Sequence, residues 1–132
     1  MRAAYGSTWH DYGALLMGYD VHITRAADWL DAEQHPITLA EWLAYVARDP
    51  EMLREDVAVG RVKGQPVVAY QSEGLAVWTT YSGHQPEGNK AWFDHRRAHV
   101  IVKNPDDEIL GKMKRIAKAL QARVLGDDGE EY

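Results

Sequence analysis

A chain of 132 residues with a net charge of −5 and no cysteine has the length of one domain, and it excludes a disulfide framework, a thiol nucleophile and a thiolate metal site. Apolar residues at 45% and charged residues at 27% are ordinary for a globular fold, and no run approaches the roughly 20 apolar residues of a membrane span. Seven tyrosines and five tryptophans against one phenylalanine favour half-buried rings with a polar tip, the residues that anchor protein interfaces.

Residues 1–17 read as an extension outside the fold, with Met17 as an alternative start and a single domain at 18–132. The extension lacks the basic start and long apolar stretch of a signal peptide. Tyr19 to Thr24 alternates apolar (Tyr19, Val21, Ile23) with polar (Asp20, His22, Thr24), the period of a half-buried strand whose polar side meets solvent. A polar connection, Arg25 to Pro36, holds a short turn of helix at Trp29 and Leu30. Thr38 and Glu41 then form a capping box, with Ile37 stapled to Trp42 and an apolar stripe at Leu39, Trp42, Leu43 and Val46. Asp49-Pro50 ends this helix, and Pro50 starts a further helical turn through Leu53.

From Val57 to Val102 the pattern is that of strands. Val57 and Val59 lead to a turn at Lys63-Gly64, and Val67 to Tyr70 resumes the strand. Leu75 to Tyr81 follows as a central strand, and Ser82 to Lys90 is a long Gly/Pro loop of the kind that often carries function. Trp92 to Asp94 and His99 to Val102 form a hairpin turning near Arg96-Arg97. The last helix is capped by Asn104, with Pro105 in its first turn. Its apolar stripe is Ile109, Met113, Ile116, Ala117 and Leu120, while Lys112 lies on the charged face, spaced to pair with Glu108. A short strand at Arg123 to Leu125 and an Asp127-Asp128-Gly129 turn complete the order. It reads as an α+β fold: a single antiparallel β-sheet with two main helices packed on one face.

Six histidines invite a metal or acid/base reading. His95 and His99 are four apart on a hairpin strand, about 13 Å of extended chain and too far to share one zinc, so they read as exposed. No glycine arrangement cradles a phosphate, and the residues call for no metal or cofactor. Charge is uneven: residues 28 to 56 carry eight acids against two bases, and Asp127, Asp128, Glu130 and Glu131 crowd the end. Such stretches repel a nucleic-acid backbone and attract a basic protein. The candidate partner-binding residues are therefore Asp28, Asp31 and Glu33, together with Tyr81, His84, Glu87, Trp92 and Asp94 in and beside the Gly/Pro loop.

Several strings taken together resemble a known group. They are Tyr19-Asp20-Val21-His22-Ile23-Thr24-Arg25 followed by Trp29, Pro36 to Trp42, Trp78 to Gly83, Val102 to Asp106, and Gly126-Asp127-Asp128-Gly129-Glu130-Glu131-Tyr132. Over about Gly18 to Tyr132 the chain resembles small bacterial proteins that look like immunity proteins of polymorphic and contact-dependent inhibition toxin systems. The resemblance implies a cytoplasmic, non-enzymatic monomer that binds one cognate toxin domain, commonly a nuclease, in a one-to-one complex. It implies no catalytic residue and no cofactor. Two rivals stand beside it: a small hydrolase using His22, His84 and Asp94, and a module that pairs with its own copy through a strand edge or helix face.

Overall fold

The structure is a computed structural model that describes residues 19–55, 57–62 and 65–132, with the backbone alone at 57–62 and 65–70. The proposed extension at 1–17, the Met17 start and the Lys63-Gly64 turn lie outside the described residues. In chain order the elements are β1 (Asp20–Thr24), a 3-10 turn (Trp29–Gln34), α1 (Leu39–Arg48), β2 (Met52–Arg54) and β3 (Val57–Val62). There follow β4 (Gln65–Gln71), β5 (Leu75–Trp78), β6 (Ala91–Arg96), β7 (His99–Lys103), α2 (Asp107–Ala119) and β8 (Arg123–Gly126). Six strands make one antiparallel sheet in the order β2-β5-β6-β7-β1-β8. The expected α+β architecture holds.

Two strand expectations change. Met52 to Arg54 is an edge strand on β5, where a helical turn was expected. Pro50 does start a turn, closed by Met52 N donating to Asp49 O at 3.0 Å, but Met52 is then buried beneath the sheet and pulls the chain into the ladder. Val57 to Tyr70 does not continue the main sheet: β3 and β4 pair with each other as a separate ribbon. With β2 already on the edge beside β5, the chain leaves after Glu55 N donates to Leu75 O.

Alternation along the strands sends Val21, Ile23, Val100, Val102, Phe93 and Trp78 to one face, where they join Trp42 and Val46 of α1 and Met113 and Ile116 of α2 in one core. Each such side chain, fully removed from water, contributes roughly 1.5–3 kcal/mol. The capping box of α1 forms as read: Thr38 Oγ1 accepts from Glu41 N at 3.1 Å, and Glu41 Oε1 accepts from Thr38 N at 2.9 Å. Its buried stripe is turned toward Tyr45, with Leu39 and Leu43 only half-buried. Arg25 ties this end together. It grips both oxygens of Glu41 and donates to Pro36 O at 2.9 Å and Leu120 O at 3.0 Å. The Arg25 hydrogen bonds, helped by Thr38 N, hold the Glu41 carboxyl down at about 2.

α2 starts two residues later than expected. Asp106 caps it by accepting from Ile109 N at 2.8 Å. Asn104 is otherwise engaged: it exchanges bonds with Tyr19, accepting from Tyr19 N at 3.0 Å and donating its own N–H to Tyr19 O at 2.8 Å. Lys112 also departs from the sequence reading. It is 4% exposed and donates to Asp49 Oδ2 and Glu51 Oε1, each at 2.9 Å, while Glu108 turns to Ser82.

The β6–β7 hairpin turns at Arg97 and Ala98, whose φ angles are 52° and 71°. Two consecutive positive φ values belong to the tight turn that favours Asn-Gly, and a Cβ in that region costs about 1–2 kcal/mol. Ala98→Gly is therefore expected to raise stability by about 0.5–1 kcal/mol, once the greater freedom of unfolded glycine is discounted. Urea denaturation of the variant measures it, and a loss of stability would refute the turn assignment.

Candidate functional site

The sheet face away from the helices is roofed at one end by two short segments. Asp28 starts the 3-10 turn, its carboxylate accepting from Leu30 N at 3.0 Å. The turn lays Trp29 flat on His22, with ring centroids 4.0 Å apart and planes within 7°. Trp29 Nε1 donates to Asp127 O at 3.1 Å, so the turn after β8 meets the 3-10 turn. Asp127 then closes the corner: Oδ2 accepts from Asp20 N at 2.9 Å and Oδ1 lies 2.8 Å from His22 Nε2.

His22 and His99 correct the sequence reading. Both were expected to face solvent, yet they are 2% and 4% exposed. The reason is coverage: Trp29 and the Asp127 turn shield this end of the sheet. His22 Nδ1 sits 3.1 Å from His99 Nε2, and His99 Nδ1 sits 3.0 Å from Arg97 O. Burial pushes the His99 imidazole down, an effect the Arg97 carbonyl only partly offsets. His95 also departs from an exposed role, with Nε2 2.6 Å from Ile37 O.

The corner's outer surface is acidic. Asp31 and Glu33 on the 3-10 turn are exposed, as are Asp28 at its start and Asp128 and Glu131 on the closing segment. Leu30 stands among them, 72% exposed. Tyr19 OH donates to Glu130, which pins the closing segment to the start of β1; burial and that carboxylate together raise the Tyr19 hydroxyl.

The loop candidates lie elsewhere. Tyr81 is half-buried against Trp78 (centroids 5.6 Å apart), and its hydroxyl donates to Asp106 at 2.5 Å. Burial, then the Asp106 hydrogen bond, push that hydroxyl up to about 12. Ser82 bonds Glu108, so the loop is strapped to the N-terminus of α2. Trp92 carries Lys90 Nζ 5.6 Å from its ring centre, and Glu87 is exposed. His84 is half-buried, and its Nδ1 is buried with no hydrogen-bond partner among the described residues. Asp94 is 9% exposed and bonded to Ser72 at 2.8 Å and Arg96 at 3.1 Å. Tyr81, Trp92 and Asp94, with Leu75 and Ile101, line a groove of about 630 Å³.

His22, His84 and Asp94 are not brought together. The register Asp94–Ile101–His22 sets His22 and Asp94 two strands apart, roughly 10 Å, and each bonds other partners. The three acids Asp28, Asp31 and Glu33 do share one segment, and the structure adds the closing acids to it. Among the described residues no helix is long and apolar enough to cross a membrane. No family model, curated protein or solved structure matches the chain.

Proposed function

We propose that the protein is an immunity protein: it binds a cognate, basic toxin domain, a nuclease being the chemistry that an acidic face suits best, and occludes it without making or breaking a bond. One observation carries this reading. The Trp29–Asp127 bond joins two acidic segments, far apart in sequence, and the exposed Leu30 sits next to Trp29 between the acids of one of them. An apolar anchor ringed by charge is the arrangement that supplies affinity from its centre and steering from its rim. The face is also rigid, since a core of ring stacking and carboxylate bonds lies beneath it, and a preformed face loses less entropy on docking.

The test is co-expression with the variable C-terminal domain of any large secreted protein whose gene adjoins that of this chain, followed by binding kinetics. The double reversal Asp31→Lys and Glu33→Lys is expected to slow association about tenfold at low salt and to flatten its salt dependence. Leu30→Ala is expected to speed dissociation by about tenfold. Unaltered rates and intact neutralisation in both variants would dismiss this face as the contact.

A further inference from the structure

We infer that the buried His22 and His99, with the half-exposed Asp127 at their edge, form a proton-binding site that holds one shared proton and uses it to dock the 3-10 turn and the closing turn onto the sheet. The inference rests on counting hydrogens. All four ring nitrogens are engaged at hydrogen-bond distance, in the row Asp127 Oδ1, His22, His99, Arg97 O. A carboxylate and a backbone carbonyl stand at the two ends, and both only accept. Each outer nitrogen must then carry a hydrogen, and the inner pair at 3.1 Å needs one more. Three hydrogens are required where two neutral imidazoles supply two.

The surroundings place the extra charge on His22. The Asp127 carboxylate faces one edge of that ring, and the Trp29 indole face lies against its plane, where an aromatic quadrupole attracts a cation. His99 is buried against a second imidazole and lies in the field of His95 and Arg96, so it stays neutral with its hydrogen on Nδ1. Around the group, Asp20 engages Asp127 through its N–H and pairs with Lys103 at 3.3 Å, and Arg123 sits across from Thr24 on β8. The 3-10 turn contributes Trp29 to the site, while its acids Asp28, Asp31 and Glu33 face outward. With Asp127 ionised, the triad's net charge is zero. Losing the proton leaves the Asp127 carboxylate, 32% exposed, without its cationic partner, and two buried ring nitrogens with facing lone pairs. The 3.1 Å separation is that of a hydrogen bond, with no room for a metal between the rings.

Long-range proton–nitrogen NMR of the histidine rings in the intact chain tests this near neutral pH. The expected spectrum shows His22 with both ring nitrogens protonated and His99 as the Nδ1–H tautomer. A bare nitrogen on His22 at that pH overturns the inference. Asp127→Asn keeps an acceptor but removes the charge. It is expected to lower the share of doubly protonated His22 about tenfold, and an unchanged share would equally overturn it. Should that variant fail to fold, the spectrum of the unaltered chain decides alone.

Discussion

Lys112→Ala is expected to lower the unfolding free energy by about 3–5 kcal/mol, the cost of stranding a buried charge. The ammonium is 4% exposed and reaches the carboxylates of Asp49 and Glu51, whose side chains are 9% and 44% exposed. Asp49 carries most of the penalty, because Glu51 meets water and is screened. The cluster of three also joins three elements: α2 supplies Lys112, the end of α1 supplies Asp49, and Glu51 leads into β2. Tyr45 OH donates to Asp49, and Trp78 Nε1 donates to Glu51 at 3.0 Å, so both acids remain placed when the lysine goes.

The pH dependence follows from the same contacts. Burial works to raise Asp49, but the bonds from Tyr45 and Lys112 outweigh it and hold the carboxyl below its usual value. The Lys112 and Trp78 bonds depress Glu51 likewise. A depressed acid contributes stability that is present above its unfolded pKa and lost as pH falls through its folded one. The cluster's contribution should therefore fade on the acid side of about pH 4. Urea curves should show a large gap between the two proteins at neutral pH and a smaller gap near pH 3. An equal gap at both values would contradict the ion-pair account.

Gly74→Ala is expected to cost about 3 kcal/mol. A Cβ there would lie 2.7 Å from His95 Cβ and 2.8 Å from His95 O, and backbone cannot step aside as a flexible side-chain tip can. Gly74 O accepts from His95 N at 3.0 Å and from the buried Trp42 indole N–H at 2.8 Å. Prising β5 from β6 would strain both bonds, and a stranded indole N–H costs about 1–3 kcal/mol by itself. Thermal or urea unfolding measures the total. A loss below about 0.5 kcal/mol would mean that the close approach at Gly74 is not a constraint on the fold.

What could be seen in the sequence was mostly periodic. The alternation around Val21 and the stripe of Ile109, Met113 and Ile116 fixed element type and core face, because burial repeats with the geometry of each element. The capping box was legible because its partners are three residues apart. Long-range polar pairing left no such trace. Lys112 sits at a spacing that suits Glu108, and nothing local announces that Asp49 and Glu51 come to it from 63 and 61 residues away. Polar residues on alternate positions of β1 looked solvated, yet His22 and Thr24 are buried because Trp29 and Asp127 return from elsewhere to cover that end. Trp29 was the one available signal: a tryptophan in a polar connection needs something to lie on.

The same limit applied to the candidate contact face. Asp28, Asp31 and Glu33 were readable as acids on one short segment, but their union with the closing acids depends on a bond spanning 98 residues. Leu30 did not stand out in the sequence because an isolated leucine on a short turn looks like a core residue until its exposure is known. Asp94 illustrates the converse. It looked like a surface acid beside a loop, and its carboxylate is instead enclosed by Ser72 and Arg96.

The chain closes one rim of its own sheet: Tyr132 N donates to Val124 O at 3.0 Å, and Glu131 bridges Leu125 across β8. The opposite rim is β2, three residues long. A visiting strand would find little free backbone to zip onto at either margin of this sheet, so any partner docking there would be held through side-chain tips. Surface substitutions could then redirect the choice of partner while the hydrogen-bonded scaffold stayed as it is.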